Sequence, residues 1–416
     1  MFSSRSERCS IALFAQCLLF LGITGSAMAG GVEIPPDSPS AVAWNNVLNW
    51  TWVVETAIDL LLPLWLLLSG WGSRLARLSE RWSSRRRYLA WIIFALIYML
   101  IRFVLRLPVE FGRHLAYPGR DADTALAWLT GQLQSLLLPV LAALLLLWLP
   151  LLLIRKSPQR WWLWLTGITA PIALVVLIGQ PLWMSAGKGY KPLENGALRS
   201  AIVTMASACG IPHIQIVVGG DDTSVYGLGP TNRVILQSDL LKVESPDQVR
   251  FTVAHELKHY VLGDNWKALA IIVAFVLVAS WIVDRAARWV FSRHGERIDC
   301  RELSDVRAFP LVLFSVMALC VVIEPGFLAF NRHIEREADR FGLELSHENV
   351  AAAALFKGWL GGLEMADPGV FAKLTRSTHP SLAERIRMAQ NYHPWESGEA
   401  LKYDAVCRAN SSQLSK

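Results

Sequence analysis

Charge is scarce in this chain. Asp, Glu, Lys and Arg together make up 18% of its 416 residues, and they sit in clusters instead of being spread along the sequence. Cysteine is also rare: Cys9, Cys17, Cys209, Cys300, Cys320 and Cys407 fit neither a CxxC metal site nor a disulfide framework. Cys209 and Cys407 both fall in polar regions and could pair in an oxidising compartment, but two unrelated free thiols are the expectation. No basic patch with interleaved aromatics is present, which excludes nucleic acid as a partner. The net charge of +6 is instead read as an excess in cytoplasmic loops.

Apolar residues are abundant, at 53% of the chain with 18 Trp, which places it in the membrane class. Arg5 and Arg8, an apolar run from Ile11 to Ile23 and the small-x-small triplet Ala27-Met28-Ala29 form a secretory signal. The alternative for residues 1–29 is an uncleaved first transmembrane helix. Spans of about 20 apolar residues are predicted near Trp52–Gly70, Tyr88–Leu107, Leu133–Ile154, Trp161–Trp183, Ala268–Phe291 and Phe309–Phe330. The total is six, or seven if the first segment stays. Trp65, Trp148, Trp161, Trp162 and Trp183 fall near span ends, as interfacial residues should. Arginine and lysine crowd three loops: Arg74 to Arg87, Arg155 to Arg160, and Arg293 to Arg307. Those loops are expected in the cytoplasm. Both long polar regions, 185–266 and 331–416, are then expected outside, in a bacterium the periplasmic side of the inner membrane.

The first polar region contains His255-Glu256-Leu257-Lys258-His259, an HExxH pattern. Ser245 as N-cap, Pro246 as first helical residue and Gln248 completing a capping box predict a helix around it. On a helix the i,i+4 spacing puts His255 and His259 on one face, within reach of a single zinc ion. Glu256 lies beside that ion, where it can act as base on a water. A catalytic zinc wants a third protein ligand. Glu335 is assigned that role, with Asp339, one turn further on, as an acceptor for a ligand histidine. Spacing alone does not separate this from a solvated helix face carrying Arg332, Arg336 and Arg340. Glu337 lies off the Glu335–Asp339 face and is expected in solvent.

The chain resembles the type I CaaX prenyl protease family of integral membrane zinc metalloendopeptidases, with their HtpX-like relatives. That family's HExxH matches His255–His259, and its SRxxExxAD pattern matches Asn331, Arg332, Glu335, Ala338 and Asp339, with Asn in place of Ser. Its PLExGxLR segment matches Pro192 to Arg199, its KRIVLxDTLL segment resembles Arg233 to Leu241, and its HPxxxxR segment resembles the stretch from His379 to Arg385. Two spans separate the two zinc motifs, as in the family. The resemblance implies a site chamber ringed by spans, an oxyanion-donating role for His379 and a supporting role for Arg385. The family's Asn-Ala on its substrate strand would fall near Asp222-Thr223, which differ and weigh against faithful CaaX processing.

Residues His213–Val218 and Val234–Gln237 read as short strands, with Gly227 to Pro230 as the turn between them. Ser224, Val225 and Tyr226 are candidates for a substrate-binding sheet edge, and ordinary hairpin packing is the alternative. Glu324, in the last span, should face protein or a water-filled cavity.

The expected fold is mainly α: a polytopic helical membrane protein with a zincin-like α+β metallopeptidase domain carrying a small sheet. Its parts are residues 1–29, a four-span region 30–184, a first metallopeptidase segment 185–266, two spans in 267–330 and a second metallopeptidase segment 331–416. The expected activity is zinc-dependent endoproteolysis of peptides or unfolded, membrane-associated proteins, using one zinc ion. The alternatives are a non-catalytic zinc-containing scaffold and authentic CaaX processing.

Overall fold

The computed structural model describes residues 34–118, 124–185, 189–211, 213–220, 223–226, 231, 233–360 and 362–407. The signal segment 1–29, Asp222 and the turn at 227–230 lie outside them.

Helix α1 (Pro39–Leu68) starts at an N-cap, Ser38, whose hydroxyl accepts from the Ala41 amide. It is followed by α2 (Trp71–Trp82), α3 (Arg87–Ala116), three helical pieces α4 (Ala125–Ser135), α5 (Leu137–Leu146) and α6 (Trp148–Lys156), and α7 (Trp161–Ser185). The span expected as one helix at Leu133–Ile154 is therefore broken. Pro139 and Pro150 explain the breaks, because neither has an N–H to continue the i→i−4 ladder. Each lies in the first turn of the piece that follows its break, where a missing N–H costs least. Among the described residues six helical stretches are long and apolar enough to cross a membrane, the fifth being α11 (Asp264–His294) and the sixth running from Val306 through α12 (Phe309–Ser346).

Between α7 and α11 lie β1 (Lys191–Pro192), α8 (Ala197–Ala208), β2 (Gln215–Val218), β3 (Ser224–Tyr226), β4 (Arg233–Leu236), the single turn α9 (Leu240–Val243) and α10 (Pro246–Val261). The strands form one mixed sheet in the order β1-β2-β4-β3. Strands β2 and β4 run parallel, with Ile216 opposite Val234, so they are not the two arms of a hairpin. The antiparallel partner of β4 is β3, and β3 is an edge strand, as is β1 on the other side. After α12 come α13 (Asn349–Trp359), α14 (Gly369–Thr375), α15 (Leu382–Asn391) and α16 (Pro394–Ser397).

Helix α12 joins membrane to domain. Phe309 at its start packs with Leu66, Trp91, Phe94 and Tyr98 of the spans. Phe341 near its end joins the core that Ile202, Ile216, Leu236, Val253 and Leu257 build between the sheet, α8 and α10. Gly342 permits the close crossing of α12 with α10: a Cβ there would meet the His255 backbone nitrogen at 3.2 Å.

Two expectations about polar residues are overturned here. Glu337 is buried: Arg340, Lys402 and the Tyr403 hydroxyl bond its carboxylate. Glu344, two turns on along the same face, accepts the Lys402 and Tyr403 amides at 3.1 and 2.7 Å. The segment from Lys402 thus covers the side of α12 turned away from Glu335. It also carries Cys407 to the end of α8, where Cys407 is disulfide-bonded to Cys209. The two are not the unrelated free thiols expected. Cys300 and Cys320 are free.

Candidate metal centre

Helix α10 has the capped start its sequence predicts. The Ser245 hydroxyl accepts from the Gln248 amide, and the Gln248 side chain accepts from the Ser245 amide. The helix buries Phe251, Val253, Ala254 and Leu257, which fixes its rotation and turns His255 and His259 toward α12. There, His255 Nε2 lies 3.2 Å from Glu335 Oε2, and His259 Nε2 lies 3.7 Å from Glu335 Oε1. One ligand atom from each of these three residues falls within 4.8 Å of the others.

Behind the cluster, each histidine is braced through its other ring nitrogen. His255 Nδ1 is 3.0 Å from Asp339 Oδ1, and both Asp339 oxygens accept from Arg385, at 2.9 and 2.6 Å. Arg385 in turn lies over the Phe356 ring, 4.1 Å from its centroid. Asp339 and Arg385 are both buried, so this pair holds its geometry without competition from water. His259 Nδ1 is 2.8 Å from Asp264 Oδ2, and Asp264 also accepts from Lys258 and Lys267, each at 2.7 Å. Lys258, almost wholly buried, donates as well to the Ile334 carbonyl, tying α10 to α12 one residue before Glu335.

Sequence reasoning missed Asp264 and Lys258. The available signal was an acidic residue directly after Gly263, whose left-handed backbone (φ 66°) ends the HExxH helix and turns the chain back.

The three arginines that could have formed a solvated face act as anchors instead. Arg332 donates to the Ser377 carbonyl at 2.8 Å, Arg336 to Glu384 at 3.0 Å and Arg340 to Glu337. Glu384 completes a capping box with Ser381 at the start of α15, the helix that presents Arg385. This brings His379 to the cluster, its Nε2 3.3 Å from Glu335 Oε2 while much of its ring stays exposed. A cavity of about 530 Å³ opens beside it, lined by Trp44, Asn45, Met365 and Arg376 among others. Glu256 is half-buried on α10, close enough to His255 to act on its charge. Ser224, Val225 and Tyr226 form β3, which packs against α10.

Two imidazoles and one carboxylate, with a carboxylate bonded to the far nitrogen of each imidazole, make the donor set a catalytic zinc takes. Three further carboxylates, Glu55, Asp59 and Glu324, line a cavity of about 580 Å³ between α1, α3, α11 and α12, so Glu324 does face a cavity.

Residues 192–393 match the model of peptidase family M48, and residues 47–185 match that of the CAAX prenyl protease N-terminal region, described by five membrane helices. The chain is 26% identical over 371 residues to the uncharacterized metalloprotease YhfN of Bacillus subtilis, covering 86% of each protein. It is 23% identical over 307 residues to CAAX prenyl protease 1 of Saccharomyces cerevisiae, covering 67% of each. It is 25% identical over 217 residues to a protease HtpX homolog of Bacillus licheniformis, covering 47% of this chain and 69% of that one. The crystal structure of S. mikatae Ste24p has the same fold, with a TM-score of 0.56 at 17% identity, matching 86% of this chain and all of that one. The chain is an integral membrane, zinc-dependent metalloendopeptidase, and it belongs to peptidase family M48 together with the CAAX prenyl proteases.

Proposed function

We propose that His255, His259 and Glu335 hold the zinc and that the enzyme cleaves unfolded or extended polypeptide segments on the non-cytoplasmic side of the membrane. The observation that carries the ligand assignment is the three-donor cluster with a carboxylate behind each histidine. Zinc, when bound, would lower the pKa of a water and polarise the scissile carbonyl. Glu256 accepts the proton of the attacking water and delivers it to the leaving amine as the C–N bond breaks. His379 donates a ring N–H to the carbonyl oxygen as negative charge develops there. Asp339, Arg385 and Asp264 position the two ligand histidines. Strand β3, at the sheet edge and against α10, pairs with an extended substrate through its backbone, which makes recognition tolerant of sequence.

Two observations support the sidedness. Arginine crowds the loops at the far end of the spans from the zinc residues, as cytoplasmic loops do. The Cys209–Cys407 disulfide lies on the zinc side, and disulfides persist in oxidising compartments. In a bacterium that side is the periplasm, and envelope quality control or peptide processing is the role that follows.

The decisive variant is Glu256→Gln in purified protein. Zinc content should stay at one per chain, while cleavage of an unfolded protein falls by about 100-fold to 10,000-fold. Unchanged cleavage sinks the assignment of the base. Reporter fusions after residue 407 test the sidedness independently; activity only of a cytoplasmic reporter overturns it.

A further inference from the structure

At the other end of the bundle, α12 begins 26 residues before Glu335, which is about 39 Å of helix. There α2 leaves α1 through Gly70 and buries Gly72, Ala76 and Ser79 on one face. Its ends carry Trp71 and Trp82, both exposed, and Trp71 stacks with Trp65 at the end of α1. A short helix with an arginine-rich face and tryptophans at its ends belongs at the lipid–water interface.

Beside α2 lies a cavity of about 490 Å³ onto which five arginines converge, Arg77, Arg81, Arg85, Arg87 and Arg307, against three carboxylates, Glu80, Glu302 and Asp305. Two of the arginines are neutralised. Arg307 pairs with Glu80 and Asp305, at 3.2 and 2.9 Å, and Arg77 pairs with Asp299 at 3.5 Å. Among the described residues Arg81, Arg85 and Arg87 have no ion-pair partner. The turn that brings the last two to the cavity holds Ser84 and Arg85 in left-handed backbone (φ 50° and 61°), a conformation that costs energy for such residues. Trp91 lines the same cavity, its indole N–H bonded to the Ser304 carbonyl at 3.2 Å.

A loop that only obeys the positive-inside rule has no reason to gather its arginines around one cavity. Arg74 and Arg86 show the alternative: neither lines it, and Arg74 lies over Trp71. We propose that this cavity binds the phosphate headgroup of an anionic phospholipid, with Arg81, Arg85 and Arg87 on the phosphate oxygens. Guanidinium forks match phosphate in geometry and charge. The interfacial tryptophans place the site where a lipid presents its headgroup, which favours a lipid over a free phosphate.

The test uses the full zinc-loaded chain in neutral detergent, titrated with phosphatidylglycerol or phosphatidylcholine and read by native mass spectrometry. Phosphatidylglycerol should be retained at least tenfold more tightly than phosphatidylcholine, and equimolar inorganic phosphate should not displace it. Arg81→Gln with Arg85→Gln should weaken it by about tenfold or more, whereas Arg74→Gln with Arg86→Gln, the same change in charge, should leave it within about twofold. Equal loss in the two double variants would mean diffuse attraction and overturn the site. Equal binding of both lipids would overturn it too, and displacement by inorganic phosphate would make a free anion the ligand. If the first double variant does not fold, Arg85→Gln alone, at an exposed turn residue, carries the same comparison with Arg86→Gln.

Discussion

The two ends of the helical bundle treat charge in opposite ways. At the zinc end, Asp339 sits between His255 and Arg385, and Asp264 is shared by Lys258, His259 and Lys267. Most of these groups are buried. At the arginine end Arg307 is paired with Glu80 and Asp305, but the Arg77–Asp299 pair is solvent-exposed, and among the described residues Arg81, Arg85 and Arg87 have no ion-pair partner. The difference teaches what each end is for. A buried, mutually satisfied network fixes two imidazoles to within a hydrogen bond, and it does so before any metal arrives. Exposed charge fixes nothing and stays available to a partner.

The contrast can be broken most directly at Arg385. Arg385→Met leaves Asp339 buried with one partner fewer, and should cost about 3 kcal/mol of stability in thermal unfolding. A second handle is pH. Burial alone would push the metal-free His255 pKa down, but the hydrogen bonds to Asp339 and Glu335 outweigh it and raise it from 6.5 to about 9. The stability this lends the metal-free fold is complete below pH 6.5 and is lost as pH rises through about 9. Zinc must displace that proton, so its apparent affinity, measured by chelator competition, should rise by about tenfold per pH unit across this window and flatten above it. Asp264→Asn keeps an acceptor for His259 but removes the charge, and should weaken zinc by about tenfold in the same assay. The smallest effect belongs to the other end: Arg77→Gln should change stability by no more than about 0.5 kcal/mol, because its pair with Asp299 is solvent-screened. A loss there as large as at Arg385 would erase the distinction between the two ends.

What could be read from the sequence was what a single helix encodes. His255, Glu256 and His259 share a capped helix, and Glu335 and Asp339 share another, so spacing alone placed each set on a face. Contacts that depend on a distant segment were not legible. Asp264 lies across a helix break, where the 3.6-residue period no longer applies. Glu337 was expected in solvent because it lies off the Glu335–Asp339 face; its cover comes from Lys402 and Tyr403, far along the chain. The sheet shows the same limit. Strands β2 and β4 were readable and β1 was not, and the parallel pairing of β2 with β4 depends on β3 taking the outer position. The gathering of arginines around one cavity likewise requires Arg307, 220 residues beyond Arg87.

The disulfide between Cys209 and Cys407 has a bearing on the order of events during synthesis. It closes a loop of 198 residues that contains both zinc motifs and two membrane-crossing helices. It cannot close before α11 and α12, which lie within the loop, and the residues up to Cys407 have been synthesised. The helices that carry His255, His259 and Glu335 are therefore all synthesised before the loop can close. The bond is thus a late one: it ties the end of α8 to the segment beyond Tyr403 only after every residue of the metal cluster is in the chain.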